Sequence, residues 1–386
     1  MMKIAQVTKY FYPHLGGIES NVLGISTGLV DKGVEVKILT SNIPKTKRVE
    51  YLNNMKILRS LSLFTLSNDP FTHGILVNLL KGDYDLIHLH LPDPFNSIFV
   101  WLASKIKRKP FIVTYHADII REGWVHGILN MLYNIFLNRI LSDSRRIIAT
   151  SPTYVEGSKI LRKSRFKEKI AVVPNFVDIK KFNPDIDRMK CIERLGLEEI
   201  EDKRIILFLG RLVPYKGVEY LIKAFPRVKE EVEDAFLLIV GDGPLRENLE
   251  KIASDMEDVR IMKRKGKEDD SSLYYPICEV FVLPSVTRQE AFGISLLEAM
   301  ACGKPCITTN ISGMPCVIGE TGTLVDPRDP GGLSSAITEL LSKPEYLKEL
   351  GRKARKRVEN EFSRERVIEK IAPIYVEVLN KDNRDK

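Results

Sequence analysis

At 386 residues and 44% apolar side chains, the chain is too long for one ordinary core and too apolar to be disordered, so two domains are expected. Its net charge of +8 is uneven, with 24 Lys and Arg against 14 Asp and Glu through Asp178, then 35 against 37. The basic first half could attract anionic lipid headgroups or phosphorylated molecules, and solvated helix faces explain each cluster equally well. Nucleic acid is not expected, because no interleaved aromatics or recognisable module accompany the charge.

The opening run from Met1 to Val7 reads as a first strand rather than a secretory segment, and no stretch approaches the ~20 apolar residues that span a bilayer. The first half alternates β-branched runs with helix-like segments. Ile4 to Thr8, Val34 to Thr40, Leu86 to Leu89, Phe111 to Thr114, Ile147 to Thr150 and Ile170 to Val173 read as strands. Glu19 to Asp31 and Asn96 to Lys107 read as helices between them. Such alternation belongs to a parallel sheet covered on both faces. A polar connector follows from Ile179 to Asp202, and the pattern restarts at Arg204 to Leu209, Phe236 to Val240, Val280 to Leu283 and Pro305 to Thr309. Two Rossmann-like units with a cleft between them fit this order. A helical tail from Tyr346 to Leu379 is expected to break near Pro373. Five cysteines, Cys191, Cys278, Cys302, Cys306 and Cys316, lack paired metal-ligand spacing and read as buried thiols of a reducing cytoplasm.

The most informative stretch runs from Arg288 to Pro305, where Glu290 and Glu298 flank Phe292-Gly293-Ile294-Ser295. A loop there can present backbone N–H groups at a helix start, with the second carboxylate about two turns further along. That geometry suits a nucleotide carrying a polyhydroxylated group. Arg211 and Lys216, in the loop after the Arg204 strand, could meet a diphosphate as a fork and a mobile point charge, or simply be surface bases. Gly241 and Gly243 mark a turn first and a ligand approach second. Gly16-Gly17, after the first strand and before a helix, suits an anion as well as a purely structural turn. Glu19 reads as a first-turn helix residue.

His116 stands just past the Phe111 strand, where open α/β sheets bind ligands, and a structural histidine is the competing reading. Asp118 would orient it or cap the next helix, with capping favoured. His88 and His90 share one strand face without a third ligand beside them, so no metal site is expected.

Taken in order, Gly16-Gly17, His116, Pro174-Asn175, Gly210-Arg211 with Lys216-Gly217, Gly241-Asp-Gly243, Leu283-Pro-Ser285, Glu290 to Glu298 and Gly322 to Asp326 resemble the large retaining glycosyltransferase family 4. The resemblance implies the GT-B fold: an acceptor-side domain over 1–178, a linker over 179–202 and a nucleotide-sugar donor domain over 203–365. It also implies a C-terminal helix and polar tail over 366–386 that crosses back toward the first domain. Arg211 and Lys216 would hold the donor diphosphate, with Gly16, Gly17 and Gly241 approaching the ligand. Glu298 would bind the ribose, Glu290 the sugar hydroxyls, and backbone N–H groups of Phe292, Gly293, Ile294 and Ser295 the sugar and phosphate. His116 would contact the transferred sugar, making His116, Arg211, Lys216 and Glu290 the catalytic set.

Ala291 stands where the family usually has Gly, and so does Phe176. The resemblance further implies a metal-independent hexosyltransferase using a UDP- or GDP-sugar, needing no other cofactor. It would be cytoplasmic, at the inner membrane face if its acceptor is an anionic lipid rather than a sugar or sugar phosphate. The apolar segment Trp124 to Leu137 would suit peripheral membrane contact or a core helix. An epimerase or phosphorylase of the same fold, and a non-catalytic nucleotide-sugar-binding protein, are the alternatives.

Overall fold

The computed structural model describes residues 1–386 except 15, 67–68, 120–123, 265–269 and 385–386, and the side chains of 124–132 and 383 also lie outside the description. The chain divides into two units: Met1–Asn175 with Arg364–Lys386, and Phe176–Ser363.

In the first unit the apolar runs become β1 (Lys3–Val7), β2 (Glu35–Ser41), β3 (Val49–Leu52) and β4 (Met55–Ser60), followed by a hairpin of β5 (Phe64–Leu66) and β6 (Asp69–Phe71). Then come β7 (Leu86–Leu91), β8 (Phe111–Tyr115), β9 (Ile147–Ala149) and β10 (Ile170–Val172). Among the described residues, eight of these form one sheet in the order β10-β9-β8-β7-β1-β2-β4-β3. Its pairs are parallel except β3 with β4. All six residues of β7 and all five of β8 are buried, as a sheet covered on both faces demands. Because β2 flanks β1 on one side and β7 on the other, the strand order reverses between β1 and β7. Ligands of open α/β sheets bind beyond the carboxyl ends of the strands at such a point.

Helices α1 (Gly17–Asp31), α2 (Gly74–Lys81), α3 (Pro94–Lys107), α4 (Trp124–Asp143) and α5 (Pro152–Gly157) connect these strands. The segment expected to be a core or membrane-contacting helix begins α4, and most of its side chains lie outside the described residues. Further along α4, Leu137, Ile140 and Leu141 are buried, whereas Ile135 and Phe136 are exposed. Among the described residues, no helix is long and apolar enough to cross a membrane.

The C-terminal helix, Arg364–Arg384, returns to this unit and packs on α1. A Cβ on Gly28 would lie 2.5 Å from Ile368 Cγ1, so the two helices meet where a side chain is missing. The expected break near Pro373 is corrected: the helix runs through it, and the interruption falls at Phe362-Ser363. Pro373 is exposed, so the carbonyl it leaves without a helical donor can meet water. Buried Ile371, Ile374, Tyr375 and Val378 hold the helix in register on either side.

The second unit opens with α6 (Arg188–Leu195) inside the stretch read above as a connector. Its Cys191, Ile192 and Leu195, with Leu197 and Ile200 beyond, join the unit's core. The strands are β11 (Arg204–Leu209), β12 (Ala235–Val240), β13 (Val259–Met262), β14 (Val280–Leu283), β15 (Cys306–Thr309) and β16 (Thr323–Val325), ordered β13-β12-β11-β14-β15-β16. Every pair is parallel, and the reversal falls between β11 and β14. Helices α7 (Val218–Glu231), α8 (Arg246–Ile252), α9 (Ile294–Ala301), α10 (Met314–Ile318), α11 (Pro330–Leu341) and α12 (Pro344–Glu361) surround the sheet.

Leu207, fully buried on central β11, measures this core. Leu207→Ala is expected to destabilise the protein by ~3 kcal/mol, through lost transfer energy plus an unfilled cavity. Urea denaturation followed by near-ultraviolet dichroism checks it, and an unchanged midpoint would contradict the assigned burial.

Candidate functional site

In the second unit the reversal gathers three of the expected residues. Lys216 precedes α7, and its Nζ makes an ion pair with Glu290 Oε2. Both residues are only 9% exposed. Burial, the largest influence, lowers the pKa of Lys216, but the charge and hydrogen bond of Glu290 together with Tyr215 outweigh it and the net shift is upward. Ser285 Oγ donates to the same carboxylate oxygen at 3.3 Å. Arg211 stands exposed beside this pair, near enough for its charge to oppose that of Lys216.

Backbone geometry explains why these side chains meet. Gly217 has φ of +64°, and a Cβ there would lie 2.2 Å from the carbonyl oxygen of Pro284. Only glycine lets the loop after β11 settle so closely on the segment after β14. Val286 N–H then donates to Tyr215 O at 2.8 Å and fastens the two loops. From the other side, Thr308 Oγ1 donates to Leu283 O at 2.9 Å and Thr309 Oγ1 to Ser285 O at 2.5 Å. Gly241 has a packing reason of its own, since a Cβ would lie 1.9 Å from the carbonyl oxygen of Gly210.

Past Glu290, the Ala291 carbonyl accepts from Gly313 N at 3.1 Å and Ser312 Oγ at 3.3 Å, which fixes the loop despite the extra methyl. Phe292 turns its ring into the core, edge-on to Phe362, so only its backbone can face a ligand. Gly293, at φ +77°, starts α9, whose first N–H groups have no intrahelical partner. Ile294 and Ser295 occupy that first turn, and Ser295 Oγ is enclosed without a hydrogen-bond partner.

Glu298, on the same helix, accepts a 2.5 Å hydrogen bond from the Tyr275 hydroxyl. Burial raises the pKa of Glu298, with Tyr275 and the charges of Arg264 and Lys181 offsetting part of the rise. Tyr275 escaped notice in the sequence. It sits in Ser271-Ser-Leu-Tyr-Tyr275, where nothing distinguishes a polar handle from a core ring.

In the first unit, Gly16 caps α1 in an extended conformation and Gly17 is its first residue. Glu19 lies across the cap, and a Cβ on Gly16 would fall 2.4 Å from its Oε2. Burial raises the pKa of Glu19, and His14 Nδ1 stands 3.6 Å from its other oxygen. Asn21 Nδ2 donates to Asn175 Oδ1 at 2.9 Å, which joins α1 to the segment after β10.

His116 lies just beyond β8, 6% exposed. Asp118 neither orients it nor bounds a described helix: its Oδ1 accepts from the Tyr115 hydroxyl at 2.7 Å and from Ser158 Oγ at 2.8 Å. His116 Nε2 faces His90 Nδ1 at 3.1 Å, and His90 Nε2 faces Gln6 Oε1 at 2.8 Å. His88 bonds the Tyr375 hydroxyl at 2.6 Å and Thr114 Oγ1 at 2.7 Å. Burial lowers all three imidazole pKa values, His88 to about 3, His116 to about 4 and His90 well below the ordinary value. They are therefore neutral at physiological pH. Among the described residues, no group of three or more His, Cys, Asp or Glu could hold a metal ion.

Two family models match the chain: glycosyltransferase family 4 over residues 15–181 and glycosyl transferases group 1 over residues 192–357. A GDP-mannose-dependent alpha-(1-6)-phosphatidylinositol monomannoside mannosyltransferase of Mycolicibacterium smegmatis is 36% identical, over 89% of this chain and 91% of its own. The D-rhamnosyltransferase WbpZ of Pseudomonas aeruginosa is 30% identical, over 92% of this chain and 90% of its own. A sucrose-phosphate synthase structure from Thermosynechococcus elongatus superposes with a TM-score of 0.79 at 23% identity, over 99% of this chain and 100% of that one, a likeness of fold. With a nucleotide-sugar motif set in sequence order, two Rossmann-like units and matches across both, the chain belongs to the group 1 and family 4 glycosyltransferases, enzymes of the GT-B fold that move a sugar from a nucleotide-diphosphate donor to an acceptor hydroxyl.

Proposed function

We propose that the chain is a retaining, metal-independent hexosyltransferase whose donor is a UDP- or GDP-sugar. The observation that carries this reading is the enclosed Lys216–Glu290 pair at the β11–β14 reversal, beside Arg211 and the start of α9. Arg211 and Lys216 stabilise the charge that develops on the departing diphosphate, helped by the N–H groups of Phe292 to Ser295. Glu298 accepts from the ribose hydroxyls. Glu290 binds the sugar hydroxyls rather than attacking carbon, and its engagement by Lys216 and Ser285 supports a holding role. Gly16 and Gly17 approach the phosphate, and neutral His116 takes a sugar hydroxyl. The anomeric carbon loses the diphosphate oxygen and gains the acceptor oxygen on the same face, and the diphosphate takes the acceptor proton.

The 36%-identical relative uses GDP-mannose, which favours a GDP-linked hexose here, and its phosphatidylinositol-based acceptor favours a lipid-linked one. The basic first half of the chain suits an anionic membrane face on the cytoplasmic side.

Thermal-shift screening with nucleoside diphosphates and their sugars identifies the base, since a ligand of the native state raises its apparent stability. Turnover is then read as nucleoside diphosphate release, and the anomeric configuration of the product by NMR. An inverted product would overturn the retaining assignment. Arg211→Ala is expected to lower kcat about 100-fold, the loss typical of removing one preorganised charge stabiliser. Wild-type turnover would remove Arg211 from that role.

Glu298 yields a prediction of opposite sign for stability and binding. Its folded pKa lies above the ordinary carboxyl value of 4.5, so in the window between the two the folded state holds more protons than the unfolded state. Stability therefore falls as pH rises through the window, and the ionised carboxylate is a net cost at neutral pH. Glu298→Gln keeps an acceptor for Tyr275 and removes the charge. It is expected to raise the melting temperature of the donor-free protein at pH 7, with the gain fading as pH falls through the raised folded pKa and gone below about pH 4.5, while weakening donor affinity about tenfold. Calorimetry with and without donor measures both effects, and a variant that loses stability at pH 7 contradicts the assigned burial cost.

A further inference from the structure

Behind His116 lies a continuous string of side chains in the first unit, running Thr114, His88, Tyr375, Gln6, His90, His116. Every link is within hydrogen-bonding distance, the longest being Gln6 Nε2 to the Tyr375 hydroxyl at 3.4 Å. All six side chains are buried, and the His88 and His90 rings lie tilted by 34° with centroids 4.2 Å apart. Such a network is affordable only when each donor meets an acceptor.

That requirement ties the direction of every bond to the next. Gln6 Oε1 can only accept, so His90 carries its proton on Nε2 and leaves Nδ1 bare. Bare Nδ1 needs a donor, which makes His116 the Nε2–H tautomer with Nδ1 as its acceptor. On the other arm Gln6 Nε2 can only donate, so the Tyr375 hydroxyl accepts from it and donates to His88 Nδ1. His88 then donates through Nε2 to Thr114. Turning the Gln6 amide over reverses every bond and converts His116 Nδ1 from an acceptor to a donor.

We propose that Gln6 and Tyr375 are positioning residues that fix His116, through His90, as a neutral Nε2–H tautomer whose Nδ1 accepts a hydrogen bond from a hydroxyl of the transferred sugar. This rests on the sugar-contact role given to His116 under Proposed function, and the tautomer itself is a property of the donor-free protein. Tyr375 hydrogen-bonds to Gln6 and His88 rather than to His116 or His90. Its hydroxyl meets the far end of the Gln6 amide, so the directions of the His88 arm, the amide and the His90–His116 arm form one linked choice, and it arrives from the C-terminal helix, 369 residues along the chain from Gln6.

The test reads tautomer and turnover separately. Nitrogen-15 NMR of the donor-free, full-length protein should show His116 as a single neutral tautomer, protonated at Nε2. In Gln6→Leu the directing acceptor is gone, and in Tyr375→Phe only the hydroxyl is lost. Both are expected to give mixed His116 tautomers, with kcat down about tenfold for Gln6→Leu, less for Tyr375→Phe, and donor KM within about twofold of wild type. Should Gln6→Leu fail to fold, Tyr375→Phe, which keeps the ring, carries the test alone. A single Nε2–H tautomer persisting in the folded variants overturns the relay. Mixed tautomers with wild-type kinetics overturn the part of His116 in transfer, and the Arg211 and Glu298 variants still judge donor binding independently.

Discussion

Two opposite charges held out of water against one another, Lys216 and Glu290, set the arrangement of strand ends in the second unit. Dehydrating an ammonium and a carboxylate costs several kcal/mol each, and their attraction offsets it only with good geometry and further hydrogen bonds. Gly217 seated on Pro284, the Tyr215–Val286 backbone bond, and Thr308 and Thr309 clamping the segment after β14 supply that geometry. Ser285 contributes the further hydrogen bond. The Gly217 and Tyr215 contacts join the loop after β11 to the segment after β14 across the strand-order reversal, and the two threonines brace that segment from β15. The strand-order reversal brings the two loops together, and the charged pair depends on that close approach.

The first unit meets its burial problem with neutral groups. His88, His90 and His116 lose their charge through desolvation, and what remains to be satisfied is the direction of each hydrogen bond. Charge and direction serve different ligands. A positive charge stabilises a diphosphate whatever its orientation, whereas a neutral imidazole with a fixed tautomer recognises a hydroxyl from one side only.

Most of the parallel strands were legible because both faces of each are buried. A run such as Arg204 to Leu209 has no amphipathic alternation to confuse it with a surface element, and the structure begins and ends β11 at the same residues. β3 and β13, at sheet edges and partly exposed, were missed for the complementary reason, since residues such as Tyr51 and Arg260 blur the pattern. Phe64 and Leu66 of the exposed hairpin were missed as well. At the site, charged residues stood out in loops after strands. Their partners did not, because Tyr275, Gln6 and Tyr375 are ordinary core or strand residues until the fold puts them beside a carboxylate or an imidazole. The tail misled through a local rule: Pro373 breaks an isolated helix, but buried residues on both sides hold this one together.

The position of Tyr375 also orders the assembly of the first unit. Gly28 on α1 is shaped to receive Ile368, and the link between Gln6 and His88 runs through a hydroxyl supplied by the same late helix. A nascent chain that stops short of Arg364 holds every strand of the eight-stranded sheet but leaves the α1 face unpacked and His88 Nδ1 without its Tyr375 partner. An unsatisfied buried imidazole is costly, so the histidine string cannot settle into one direction until the end of the chain has folded back. The second unit is contiguous in sequence and carries no such debt. The residues proposed to grip the donor can therefore be in place before the neutral histidine site acquires its tautomer. Under the proposed function, completion of the first unit is what gives His116 the single tautomer with which it meets a sugar hydroxyl.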